Sequence, residues 1–138
     1  MPTAFEPAPS PLARRVATYA RVSSEDQADR GTIATQIDLL ERRIAQTPDM
    51  DVVGRFVDDG VSGTIPLALR PGGRGLMTLA GARAIDEVWV YKVDRLGRDA
   101  VDLLGVRRQL DALTVRIISL VEGEQHGLPY DLQAVVAS

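Results

Sequence analysis

Val16-Ala17-Thr18-Tyr19-Ala20-Arg21-Val22-Ser23-Ser24-Glu25-Asp26-Gln27 is the stretch on which the fold turns. Its first seven residues are rich in apolar and β-branched side chains and run straight into a polar cluster, the pattern of a buried strand feeding a loop. Ser24 and Gln27 stand at capping-box spacing. After Gly31 a second helix start at Thr32 precedes Ile33, Ile37, Leu40 and Ile44, which share one helical face. Pro48 should end that helix.

Outward from this unit the same alternation continues. Val52–Val57 reads as a second strand, and Asp58–Gly75 as a long connection rich in Gly, Pro, Ser and Thr, of the length that often carries function. Leu76–Ala84 reads as a short helix and Glu87–Tyr91 as a strand. Asp99–Leu113 reads as an amphipathic helix with Leu103, Val106, Leu110 and Leu113 inward, and Val115–Val121 as a final strand. Strand alternating with helix implies an α/β domain with a largely parallel central sheet flanked by helices, and a ligand site at the carboxyl ends of the strands. Pro2, Pro7, Pro9 and Pro11 mark residues 1–13 as a flexible leader, with the folded domain expected over 14–122. Residues 123–138 read as a polar linker followed, at Asp131–Val136, by the opening turn of a helix cut short.

The composition narrows the chemistry. A chain of 138 residues with 45% hydrophobic and 25% charged residues suits one globular domain. There is no cysteine and His126 is the single histidine, so neither a disulfide framework nor a Cys/His metal cluster is available, and no cofactor is expected. No stretch approaches the ~18 apolar residues of a membrane span, and the opening residues lack signal-peptide features, so a cytoplasmic protein is the expectation. The formal net charge of −3 implies weak affinity of this domain alone for nucleic acid. Lys92 is the only lysine, and the remaining basic residues are arginine, a bias that a GC-rich genome would also produce.

Three strand ends carry the reactive side chains: the Tyr19–Gln27 segment, Asp58-Asp59-Gly60-Val61-Ser62-Gly63-Thr64, and Asp94-Arg95-Leu96-Gly97-Arg98. If they converge, a serine hydroxyl lies among Arg21, Arg70, Arg95 and Arg98, with Gln27, Gln36 and Ser62 as neutral partners and Asp59 and Asp94 as acceptors. Such a set suits a phosphate ester, because planar guanidinium forks bind equatorial oxygens in pairs and can take the place of magnesium. A Ser–His–Asp triad is not expected, since His126 lies in the carboxyl segment and there is no Gly-x-Ser-x-Gly elbow, and no P-loop or Gly-x-Gly-x-x-Gly turn follows any strand.

The Tyr19–Gln27 segment resembles the nucleophile motif of the resolvase/invertase serine recombinases, especially the catalytic domain of the large serine integrases. Tyr91-Lys92-Val93-Asp94-Arg95-Leu96-Gly97-Arg98-Asp99 resembles that family's Asp-Arg-Leu-x-Arg motif, and Asp59-Gly60-Val61-Ser62-Gly63 followed by Arg70-Pro71-Gly72 its middle segment. The resemblance runs from about Val16 to Glu122. It implies a resolvase-like three-layer domain in which Ser23 attacks the scissile phosphate of double-stranded DNA and holds the 5′ phosphate as a phosphoserine ester, without metal or ATP. Arg21, Arg95 and Arg98 would bind the phosphate and Arg70 would assist, although Arg74, four residues on, is an alternative. Gln27, Gln36, Asp59, Ser62 and Asp94 would orient the site, with Asp94 a candidate for handling a proton. The resemblance also implies a dimer and a synaptic tetramer in the full-length protein, and a bacterial or phage, nucleoid-associated setting. The long helix and DNA-binding domains that follow in the family are not found here, so the isolated fragment is expected to be inactive without them.

Plainer readings stand beside these. A serine at a strand end is often a helix cap, though Ser24 is the better cap candidate here. Arg95 and Arg98 could be surface ion pairs with Asp94, Asp99 or Asp102, Gln36 a solvent-facing helix residue, and Asp59 and Ser62 turn formers. Trp89 and Tyr91 read as core rather than base-stacking platforms. Two other functions remain open: an α/β hydrolase of small phosphate esters, and a non-catalytic relative that keeps the fold for protein contacts.

Overall fold

The computed structural model describes residues 13–24 and 30–125. Gln27, its pairing with Ser24, His126, the helix start at 131–136 and nearly all of the leader lie outside the described residues. The elements are β1 (Arg14–Val22), α1 (Arg30–Ala45), β2 (Met50–Asp59), α2 (Pro71–Gly81), β3 (Glu87–Val90), α3 (Ala100–Ala112), β4 (Arg116–Ser119) and β5 (Gly123–Gln125). The sheet runs in the order β2-β1-β3-β4-β5, parallel throughout except for the antiparallel β5.

Side-chain alternation along the strands divides the core into two layers. Ala17, Tyr19, Val88, Val90 and Ile117 face Leu76 and Ala80 of α2 and Val106 and Leu110 of α3. Val16 and Trp89 face Leu40 and Ile44 of α1 on the other side. The inward stripe expected for α3 is observed, with Leu103 and Leu113 completing it at the margins. The result is the three-layer α/β architecture with a largely parallel sheet. Among the described residues no helix is long and apolar enough to cross a membrane.

Several boundaries move from their expected places. β2 continues to Asp59, and α2 begins at Pro71 instead of Leu76 and ends at Gly81 instead of Ala84, so the supposed long loop shrinks to a connection containing a 3-10 turn at Leu67–Leu69. Gly72, Gly73 and Gly75 obscured the helix because glycine is a poor helix former. Here their missing side chains are what allow the helix to start: a Cβ on Gly73 would lie 2.0 Å from the Leu67 carbonyl oxygen, and one on Gly72 2.8 Å from that of Val57. Asp58, at the end of β2, accepts hydrogen bonds from the backbone N–H groups of Gly72 (2.6 Å) and Gly73 (3.0 Å), so a carboxylate from the sheet satisfies the helix's first free donors. The final parallel strand is shorter than expected, and part of the stretch expected to be a flexible linker forms β5.

One irregularity sits on the outer strand. The β1–β2 register shifts between Val16 and Ala17, which pair with Val52 and Gly54, so Val53 is an extra residue in a bulge.

Gly73→Ala is expected to lower stability by about 3 kcal/mol, the upper end of overpacking costs. Gly105→Ala, in α3 with nothing within 4 Å of the added methyl, is expected to raise it by about 0.5–1 kcal/mol. Urea denaturation of the two variants checks both signs.

Candidate functional site

β1 delivers its carboxyl end to the centre of the sheet edge, and two loops fold over it. The Val22 carbonyl accepts from the N–H groups of Gly60 (2.8 Å) and Val61 (3.0 Å), while Gly60 takes φ +80°, a turn that favours glycine. This brings the segment after β2 back over the end of β1. The 3-10 turn at Val93–Arg95 closes from the β3 side. Between them lies an open cleft of about 260 Å³ lined by Arg21, Ser23, Ser62, Gly63, Thr64, Asp94 and Arg98. All three strand ends singled out in the sequence contribute to it.

Arg21 follows Ala17 and Tyr19 on the same face of β1 and is buried at 7% exposure. Its Nε donates to the Arg95 carbonyl, and its terminal nitrogens donate to the carbonyls of Val61 (3.0 Å) and Asp94 (3.4 Å). A Cβ on Gly63 would lie 3.1 Å from this guanidinium, so glycine there leaves the room it occupies. Burial pushes the Arg21 pKa down, and the positive charges of Arg70 and Arg95 push it further the same way. The cluster repels itself, and an oxyanion in the cleft would relieve that repulsion.

Gln36, buried at 1% exposure, holds Arg21 from behind. Its Nε2 donates to the Arg21 carbonyl (3.1 Å) and its Oε1 accepts from the Arg21 N–H (3.4 Å). β3 pairs with β1 only as far as Tyr19, so the side-chain amide supplies the donor and acceptor that a longer neighbouring strand would have given. Gln36 is therefore neither solvent-facing nor in the cleft; it fixes the backbone that carries Arg21.

Arg70 is fully buried. Its guanidinium donates to the carbonyls of Ile65 (2.8 Å), Gly63 (3.3 Å), Arg95 (2.7 Å) and Leu96 (3.3 Å), and to the Tyr19 hydroxyl (3.1 Å). Tyr19 in turn donates to Asp58 at 2.7 Å. Arg70 thus lies beneath the cleft with its donors engaged, while Arg74 is exposed on α2 and absent from the cleft lining. Of the other expected residues, Arg98 is exposed on the rim. Its backbone N–H bonds Asp102, and its side chain bonds Asp99, the N-cap of α3. The Arg95 side chain is 17% exposed, lies 3.5 Å from Asp94 and does not line the cleft. Asp59 is exposed at the end of β2 and is likewise outside the lining. Ser62 shares a 2.8 Å hydrogen bond with Thr64, and its Oγ accepts from the Thr64 N–H, so it is both a turn former and a wall of the cleft.

Sequence reasoning did not single out Thr64, nor the supporting pair Tyr19 and Asp58. Alternation along β1 places Tyr19 on the Arg21 face, but nothing local to Asp58 signals that it reaches α2.

A serine beside two arginines in a cleft at the carboxyl end of a parallel sheet is an arrangement that suits an α/β domain to phosphoester chemistry. The model for "Resolvase, N terminal domain" matches residues 16–136, and the chain belongs to that family. Its structure is similar to the N-terminal catalytic domain of TP901-1 integrase, with 30% identity, a TM-score of 0.70, and coverage of 89% of this chain and 90% of that one. It is also similar to the C-terminal catalytic domain of ISC1926 TnpA, an IS607-like serine recombinase, with 25% identity, a TM-score of 0.65, and coverage of 89% and 78%. A resolvase family site-specific recombinase from Streptococcus pneumoniae shares the fold at 22% identity, with a TM-score of 0.72 and coverage of 90% and 85%. No curated protein sequence matches the chain.

Two outcomes follow from these contacts. Gln36→Ala leaves a buried N–H and C=O of Arg21 without partners and is expected to cost roughly 2 kcal/mol or more. Gln36→Glu, which can accept but not donate, should restore only part of this in denaturant titrations. For Tyr19, burial and then the Asp58 bond raise its pKa above the ordinary value near 10. The contribution of the neutral phenol is therefore complete below that value and lost as pH rises through it toward the folded pKa. The stability difference between wild type and Tyr19→Phe should shrink above about pH 10, measured as urea midpoints across the alkaline range.

Proposed function

We propose that this chain is the catalytic domain of a serine site-specific recombinase, with Ser23 as nucleophile. The observation that carries the reading is the shared cleft, which sets the Ser23 side chain among Arg21, Arg98, Ser62 and Asp94. In this reading the Ser23 Oγ forms a bond to the scissile phosphorus of a DNA strand while the bond to the 3′ oxygen breaks. The 5′ phosphate stays on the protein and a free 3′ hydroxyl is released. The serine proton leaves to an acceptor, for which Asp94 is, among the described residues, the carboxylate lining the cleft, and the departing oxygen gains a proton. Rejoining is the reverse attack by a 3′ hydroxyl after partner strands exchange, so the ester conserves the energy of the broken bond.

Arg21 and Arg98 would bind the non-bridging oxygens, Arg21 pre-positioned by Gln36 and Arg98 free to adjust from the rim. Arg95, next to Asp94, supports the same field. Arg70 assists by holding the two loops and adding positive potential from below. Gln27, Asp59 and Ser62 complete the set that the family resemblance implies. Double-stranded DNA is the proposed partner, bound in a cytoplasmic, nucleoid setting by a full-length protein that assembles as a dimer and then a synaptic tetramer. An open cleft suits a DNA backbone better than the deep enclosure that a hydrolase of small phosphate esters needs.

The test joins the chain to a DNA-binding domain of known site and offers duplex DNA with a nick that prevents religation. A denaturation-resistant protein–DNA adduct mapping to Ser23 by mass, lost in Ser23→Ala and slowed roughly 100-fold or more in Arg98→Ala, is the expected result. A fusion that binds DNA and dimerises yet forms no adduct would instead identify a recombinase-fold domain without catalysis.

A further inference from the structure

The turn that carries Asp94 and Arg95 closes on its own backbone, through Arg95 N–H to the Lys92 carbonyl (3.1 Å) and Leu96 N–H to that of Val93 (3.0 Å), but its first N–H is capped from elsewhere. The 3-10 helix Val93–Arg95 has no side-chain cap from Lys92, the residue at its start. Its first N–H, that of Val93, donates instead to Glu122 Oε1 (3.2 Å), a residue 29 positions away beyond the end of β4. The same carboxylate oxygen is hydrogen-bonded to the Ser119 hydroxyl. Ser119 is 2% exposed, the last residue of β4, and its Oγ also accepts from the Glu122 N–H (3.1 Å) and lies 3.2 Å from the Tyr91 carbonyl. The backbone reinforces the clip: Leu120 N–H donates to Val90 O (3.0 Å) and Val121 N–H to Tyr91 O (3.1 Å). The peptide carbonyls of Asp94 and Arg95, one residue further on, are the ones that Arg21 and Arg70 grip.

We infer that Glu122, seated on Ser119, is a positioning residue for the functional cleft: it caps the turn bearing Asp94 and Arg95 and so fixes the carbonyls on which Arg21 and Arg70 are aligned. A carboxylate oxygen accepting an N–H at the start of a helical turn is a favourable charge-assisted bond, and without it that donor would depend on solvent. The connection between β4 and β5 thereby becomes part of the cleft's support, although none of its residues lines the cleft. The structural half of this inference stands on the contacts alone. Its consequence for the cleft rests on the phosphate-binding reading above.

The experiment uses the whole chain and inorganic phosphate as probe. Amide hydrogen exchange is followed by NMR in wild type, Glu122→Ala, Glu122→Gln and Ser119→Ala, and phosphate affinity is read from side-chain NMR shifts of Arg21 and Arg98. In Glu122→Ala, exchange at Val93–Leu96 should rise roughly tenfold while Val88, Val90 and Leu110 keep their protection, a local opening and not a global one. Phosphate affinity should fall about fivefold or more with the melting temperature little changed. Glu122→Gln should recover both, because its amide oxygen can accept the same two bonds. Ser119→Ala should give the Glu122→Ala pattern in smaller measure, and it decides the matter if Glu122→Ala does not fold.

Unchanged exchange at Val93–Leu96 in the variants overturns the inference, as does faster exchange with unaltered affinity for phosphate. A wild type that takes up no phosphate in the cleft overturns the functional reading instead. The exchange data then still decide whether Glu122 holds the turn.

Discussion

Arg70 has no surface open to solvent, yet its guanidinium touches three separate stretches of chain: Gly63 and Ile65 after β2, Arg95 and Leu96 after β3, and Tyr19 in β1. A buried cation is normally costly unless its donors are filled. Here four backbone carbonyls and the Tyr19 hydroxyl fill them, and among the described residues the one carboxylate of the network, Asp58, acts through that hydroxyl. Asp58 also accepts the leading N–H groups of α2, the helix that Arg70 immediately precedes. One interior network therefore sets where two loops end and where a helix begins. Lysine could not substitute, because a single ammonium cannot present a planar fork to so many acceptors.

The two ends of the sheet use arginine in opposite ways. At the amino-terminal edge Glu87, fully buried, takes up Arg14 and Arg116 and the Trp89 indole N–H, and Arg15 pairs with Asp86. With Glu124 also paired to Arg116, charge there is cancelled at contact distance. At the carboxyl-terminal edge Arg21 and Arg70 are met mainly by neutral carbonyls, so their positive field is preserved and directed at the cleft. A net charge of −3 for the whole chain is compatible with a locally positive site for this reason.

Much of this was legible in the sequence. The apolar run into Ser23, the helical face of Ile33 to Ile44 and the stripe along α3 are each set by burial, which leaves a periodic trace. The motif spacing likewise placed Arg21, Ser23, Ser62, Asp94 and Arg98 around one cleft. What escaped was governed by long-range geometry. The glycines at the start of α2 looked like a loop, because the close approach of Leu67 that requires them has no local signature. Gln36 is positioned by the backbone of Arg21, 15 residues away, and Arg70 by carbonyls from two separate loops, so composition could not tell a supporting arginine from one that faces the cleft. Gln27 lies outside the described residues, and its part rests on the motif alone.

The bulge at Val53 shapes the outer edge of the sheet. β2 is an outer strand of ten residues, and Val53 and Val57 are exposed on it, a combination that invites a neighbouring chain to add its own strand. The extra residue breaks the hydrogen-bonding repeat near the middle, so an incoming strand finds at most the stretch from Gly54 to Asp59 in continuous register. Arg55, tied to Glu41 of α1, adds a charged pair beside that stretch. The fault in the ladder thus shortens the edge open to strand addition, the kind of interruption by which sheet proteins limit edge-to-edge aggregation.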